Sequence, residues 1–120
     1  MEAIFDTCIL IDYLNGIQAA KQEINIYQRK AISIIAWMEV MVGTDSSNEK
    51  TVRHFLKGFR VINIDSNIGE AAVVIRKKHR MKLPDAIIWA TAREENLLLV
   101  TRNTKDFSAS EPGIRVPYQL

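Results

Sequence analysis

Leu83-Pro84-Asp85-Ala86-Ile87-Ile88-Trp89-Ala90-Thr91-Ala92 decides how this chain folds. Proline is tolerated in the first turn of a helix and a carboxylate suits its positive end, so the stretch reads as a helix start. The residues after Asp85 are too apolar for a surface helix, which predicts one largely buried in the core. Asp85 therefore stands at the mouth of a core helix, where an acid has to be paired, solvated in a cleft, or bound to a cation.

The segments around it are short apolar runs separated by helical patterns. Ala3-Ile4-Phe5 reads as a buried strand that delivers Asp6 to a helix start, with Thr7 as the N-cap. That helix carries Ile9, Leu10, Tyr13 and Leu14 and stops near Asn15-Gly16, and a more polar helix comes next over 18–27. Residues 31–35 form a second strand that passes into a short helix ending at Gly43. A helix over 49–58, a third strand over 61–64 and a helix bearing Ala71, Ala72, Val74 and Ile75 continue the alternation. The fourth strand is 97–100, and 114–116 makes a short edge strand closed by Pro117. Strands alternating with helices in this way predict a three-layer α/β sandwich: a four- to five-stranded parallel sheet with helices on both faces.

At 120 residues the chain fits a single domain over 1–120. Its 48% hydrophobic and 25% charged residues exclude a disordered chain. Its apolar runs are too short for a transmembrane helix, so no membrane partner is expected. Met1-Glu2-Ala3-Ile4-Phe5-Asp6 lacks a basic leader, and the one cysteine, Cys8, rules out an internal disulfide framework and a cysteine-rich zinc site. A cytoplasmic setting is the expectation.

The chemistry should gather outside the carboxyl ends of the strands, as it does in open parallel sheets. Asp6 follows the first strand and Glu39 lies just after the second, the only charge between Ala31 and Gly43. Asn103 and Asp106 follow the fourth strand, and Asp85 heads the helix leading into it. Carboxylates converging without a basic partner raise one another's pKa, and a bound cation relieves that repulsion. All-oxygen ligands favour magnesium or manganese, and such cations suit phosphodiester cleavage.

Each acid also has a plainer reading: Asp85 as a helix-dipole acid, Asp6 as a turn residue, Glu39 in a structural role, Asp106 as a surface residue. Asp12, Asp45 and Asp65 are read as solvated and left out of the site. His54 and His79 sit beside basic residues and lack the pattern of a hydrolase triad, while Cys8 has no histidine base. The formal charge of +2 does not announce nucleic-acid binding, but Arg76-Lys77-Lys78-His79-Arg80-Met81-Lys82 concentrates positive charge just before Asp85. Arg76, Lys78, Arg80 and Lys82, with Arg102 and Lys105, are candidate phosphate contacts beside the acids, while the plainer reading of the run is a solvated helix end. Trp37 and Trp89 are better read as core residues than as base-stacking platforms.

Four blocks carry a resemblance. Asp6-Thr7-Cys8-Ile9-Leu10-Ile11-Asp12-Tyr13-Leu14, Trp37-Met38-Glu39-Val40 with Gly43, the stretch around Asp85, and Val100-Thr101-Arg102-Asn103-Thr104-Lys105-Asp106-Phe107 resemble the PIN-domain family. Within it they look like the VapC-type toxins of toxin–antitoxin pairs. The resemblance implies a Mg2+- or Mn2+-dependent endoribonuclease acting on cellular RNA such as tRNA or mRNA. It implies Asp6 and Asp85 as principal metal ligands, Glu39 as a support for metal or water, and Asp106 in the fourth acidic place, which in some relatives stands nearer Asn103. Thr7 and Thr101 match small hydroxyl positions that brace the site. A homodimer and a cognate antitoxin are the implied partners. Two other functions compete: a receiver-like phosphoacceptor signalling domain, and a catalytically silent PIN-like module that binds RNA or protein.

Overall fold

The computed structural model describes residues 2–120. The chain runs β1 (Glu2–Phe5), α1 (Thr7–Leu14), α2 (Gln18–Asn25), β2 (Arg29–Ser33), α3 (Ile34–Val42), α4 (Glu49–Leu56), β3 (Arg60–Ile62), α5 (Ser66–His79), α6 (Leu83–Glu94), β4 (Leu98–Val100) and β5 (Ile114–Arg115). The five strands form one sheet in the order β3-β2-β1-β4-β5, and every pairing is parallel. This is the α/β architecture expected from the alternation of strands and helices.

Ala3, Ile4 and Phe5 are fully buried because β1 is the middle strand, covered on both faces. The chain winds from β1 out through β2 to β3, then crosses to the other side of β1 at β4. Strand order therefore reverses between β1 and β4, the point where a crevice opens at the carboxyl edge of such a sheet. Asp6 leaves β1 there, and Thr101 leaves β4 beside it; the Asp6 amide donates to the Val100 carbonyl at 2.9 Å.

Helix α6 is the buried mount predicted for Asp85. Ala86, Ile88, Trp89, Ala90, Thr91 and Ala92 are all buried, and α5 packs along it. Trp89 meets Phe107 edge-on at 5.8 Å between ring centroids, so the loop after β4 is anchored in the core. Truncating Trp89 to alanine would cost about 3–5 kcal/mol by the usual large-to-small penalty.

Several boundaries differ from the sequence reading. Ile34 and Ile35 are β-branched and their pattern predicts the second strand, yet they open α3. The cause is Ser33, whose hydroxyl accepts from the Ile35 amide at 3.1 Å and caps the helix. Likewise Asp6, not Thr7, caps α1. The third strand ends at Ile62, leaving Ile64 exposed, and Asp65 caps α5 through the Ile68 amide at 2.8 Å. The basic run is the last turn of α5, stopped by Arg80 in the left-handed region at φ 55°. Among the described residues, no helix is long and apolar enough to cross a membrane.

Candidate active site

Asp6 lies at the carboxyl end of the central strand and is only 4% exposed. One carboxylate oxygen accepts from the Thr7 amide at 2.8 Å; the other accepts from the Thr101 hydroxyl at 2.7 Å and the Cys8 thiol at 3.5 Å. Burial pushes its pKa up; the bonds from Thr101, Thr7 and Cys8 act against that rise, and the charge of Glu39 adds to it. Cys8 is itself pushed up to about 11 by burial and by Asp6, so its thiol stays protonated.

Glu39 projects from the exposed side of α3, and its Oε1 accepts the Thr7 hydroxyl at 2.7 Å. Thr7 thus ties the start of α1 to the middle of α3. Asp85, half-buried in the first turn of α6, is pushed up to about 6. Burial is the largest cause, followed by the charges of Asp6, Asp106 and Glu39. All four predicted acids therefore act on one another across four separate segments.

The loop after β4 completes the group. The Asn103 amide nitrogen donates to Thr101 Oγ1 at 3.0 Å, while its side chain donates to Asp106 Oδ2 at 2.9 Å. Asn103 and Asp106 are hydrogen-bonded neighbours in this loop. Phe107, fully buried, pins the loop's far end.

No ion pair among the described residues involves Asp6, Glu39, Asp85 or Asp106. Two acids with raised pKa and no paired base favour a hard cation with oxygen ligands. The fit is an open one, since among the described residues no three such side chains form a ready cage. Magnesium commonly uses one or two carboxylates and takes the rest of its shell from water and phosphate. The donor set suits that cation.

Arg102 makes an ion pair that the sequence reading did not anticipate. Its guanidinium grips Asp12 with two hydrogen bonds, Nη2 to Oδ1 at 3.0 Å and Nε to Oδ2, instead of standing free for a phosphate. Asp12 is not solvated either: it is 3% exposed and also accepts from the Tyr118 hydroxyl at 2.7 Å. Sequence reasoning missed Asp12 and Tyr118. The available signal was an acid among Ile9, Leu10, Ile11, Tyr13 and Leu14, the same signal that marked Glu39.

The other predicted cations remain at the surface. Arg76, Lys78, Arg80, Lys82 and Lys105 are exposed, and no ion pair among the described residues engages them. Lys82 precedes α6 and Lys105 adjoins Asp106, so both flank acid-bearing segments. Trp89 is core, whereas Trp37 is half-buried under Arg53 at 5.6 Å. Beside Glu39, a groove of about 320 Å³ is lined by Ile11, Leu14, Val40, Thr51 and Val52. A larger cavity, about 420 Å³, lies by Arg93, Leu98 and Gly113 at the opposite edge of the sheet, away from the acids.

The PIN domain family model matches residues 3–110. The chain belongs to the PIN-domain family. A toxin–antitoxin complex from Klebsiella pneumoniae contains a chain similar to this PIN domain at 48% identity, with 98% of this chain and 99% of that chain covered and a TM-score of 0.93. DNA-bound VapBC from Salmonella typhimurium is similar at 25% identity, 96% coverage of both chains and TM-score 0.77. VapBC2 from Rickettsia felis shares the fold at 21% identity, with 95% and 96% coverage and TM-score 0.80. Among curated proteins, none matches. The receiver-like alternative falls with the sheet: that fold orders its strands 2-1-3-4-5, whereas this one is β3-β2-β1-β4-β5.

Proposed function

We propose that this PIN domain is a cytoplasmic endoribonuclease, the toxin of a toxin–antitoxin pair, acting as a single domain in each copy of a homodimer. The observation that carries the catalytic reading is the convergence of Asp6, Glu39, Asp85 and Asp106 without a basic partner, with Asp85 pushed up to about 6. In this reading Asp6 and Asp85 hold Mg2+ or Mn2+, with Glu39 and Asp106 completing the acidic set. A bound cation would offset the charge on the phosphoryl oxygens and lower the pKa of a water molecule, so that it can lose a proton and attack.

The chain's own groups do the rest. Thr101 and the Thr7 amide hold both oxygens of Asp6 in place, so a ligand at the crevice does not swing. Thr7 occupies Oε1 of Glu39 and leaves Oε2 to accept a proton from the attacking water. Asn103 fixes Asp106 through Oδ2. Arg76, Lys78, Arg80, Lys82 and Lys105 supply phosphate contacts that draw RNA to the rim, and Arg102 drops out of that set. The groove beside Glu39 is the seat for an antitoxin segment, its apolar walls ending at an acid.

Incubating the purified chain with total RNA in magnesium tests the reading. Cleavage that stops with chelator, and in Asp6→Asn, is expected. RNA binding without cleavage under all metal conditions would favour the silent binding module.

A further inference from the structure

Arg102 leaves the chain between two residues that handle the acids. Thr101 before it donates to Asp6, and Asn103 after it donates to Asp106. Its own side chain turns back to α1, the helix that Asp6 caps, and takes both oxygens of Asp12. Neighbouring residues of one loop are thus attached to one rigid helix at two points, at its cap and inside it. Two such attachments set the direction in which the chain leaves the sheet, where one would leave it free to swivel.

Tyr118, from the segment after β5, donates its hydroxyl to the same Asp12 oxygen that Arg102 Nε contacts. The segment after β5 is therefore tied to the pair through this bond. Both Asp12 oxygens face the Arg102 guanidinium, and that positive charge keeps a metal cation away from them. A guanidinium already gripping a carboxylate with two hydrogen bonds does not offer that same fork to a phosphate.

We propose that Asp12, Arg102 and Tyr118 form a positioning clamp that sets the place of Asn103 and Asp106 at the acidic site. Its role rests on the nuclease reading given above, and all three are positioning residues that never touch the substrate. Groups of this kind behind metal ligands govern metal affinity by holding the ligands in place.

Full-length Asp12→Asn, Arg102→Lys, the double variant and Tyr118→Phe are compared with the unmodified chain. The readouts are the magnesium concentration for half-maximal RNA cleavage, the KM for RNA, and amide hydrogen exchange across residues 101–107. Asp12→Asn and Arg102→Lys are each expected to raise the magnesium requirement about tenfold while leaving the KM for RNA unchanged. The double variant should be no worse than Arg102→Lys, because both changes open one contact. Tyr118→Phe keeps the ion pair and gives a smaller shift in the same direction, which decides the matter should Asp12→Asn fail to fold.

A raised KM for RNA in Arg102→Lys, with the magnesium requirement unmoved, would overturn the clamp and return Arg102 to the phosphate rim. Should the unmodified chain cleave no RNA, the nuclease reading fails, and hydrogen exchange judges the clamp separately. Faster exchange over 101–107 in Tyr118→Phe supports it, and unchanged exchange sinks it.

Discussion

Thr101 donates a hydrogen bond from its hydroxyl to Asp6 Oδ2 at 2.7 Å, across 95 positions of sequence. That bond spans the point where strand order reverses, joining the ends of β1 and β4. It aims a buried carboxylate and lowers the cost of keeping it charged. Thr101→Val removes the donor at nearly constant volume and should weaken magnesium-dependent cleavage about tenfold, as loss of a partner behind a metal ligand does. Thr101→Ser should retain most of it. Magnesium titrations of the two variants check the difference.

Asp85 carries a signature readable in stability. Its pKa rises from 3.8 to about 6 on folding, so the cation-free folded chain holds more protons than the unfolded one between those values. Stability from this group therefore falls as pH climbs from about 4 to 6. Asp85→Asn should be the more stable protein at pH 7 in chelator, by on the order of 1 kcal/mol once solvent screening of a half-exposed group is allowed for. Urea unfolding in chelator across that range measures it. Magnesium should then stabilise the unmodified chain and leave Asp85→Asn nearly unmoved.

Glu23 predicts the opposite slope. Burial pushes its carboxyl up, but two hydrogen bonds from Arg115, one of them 3.0 Å long, and one from Tyr27 at 2.9 Å outweigh that and hold it below 4.5. A depressed folded pKa adds stability above the unfolded value that is lost as pH falls through the folded one. Glu23→Gln should cost about 2 kcal/mol at pH 7, the lower side of a broken buried pair because Arg115 is partly exposed. Near pH 3 the variant and the unmodified chain should draw together in urea midpoint.

Ser33 ties folding to the site. Its hydroxyl starts α3 at Ile34, which sets the turn from which Glu39 reaches Thr7. Ser33→Ala should lose about 1 kcal/mol through the uncapped helix end. Thermal unfolding reads the loss, and Ser33→Thr should recover most of it.

Features that depend on local pattern were legible in the sequence. The Pro84-Asp85 start and apolar stretch of α6, and the short apolar runs of the strands, come from periodicity and turn chemistry. The strand end at Ser33 did not, since β-branched Ile34 and Ile35 favour a strand until a cap claims them. Arg102 looks like an ordinary surface charge along the chain, and the apolar neighbours of Asp12 signal its burial without naming its partner. Only the fold brings the two together, 90 positions apart, with Tyr118 behind them. Phe107 sits in a polar loop by composition, yet Trp89 gives it a buried face to pack on.

The central claim, that Asp6 and Asp85 hold a cation that cuts RNA, meets its most direct test in one assay. RNA cleavage by the unmodified chain, Asp6→Asn and Asp85→Asn is measured across a magnesium titration, with chelator as the blank. The unmodified chain should cleave only with the cation, and each variant should lose more than the roughly 100-fold that removing a partner behind a ligand can cost. Cleavage that persists in chelator, or survives in both variants, would contradict the account.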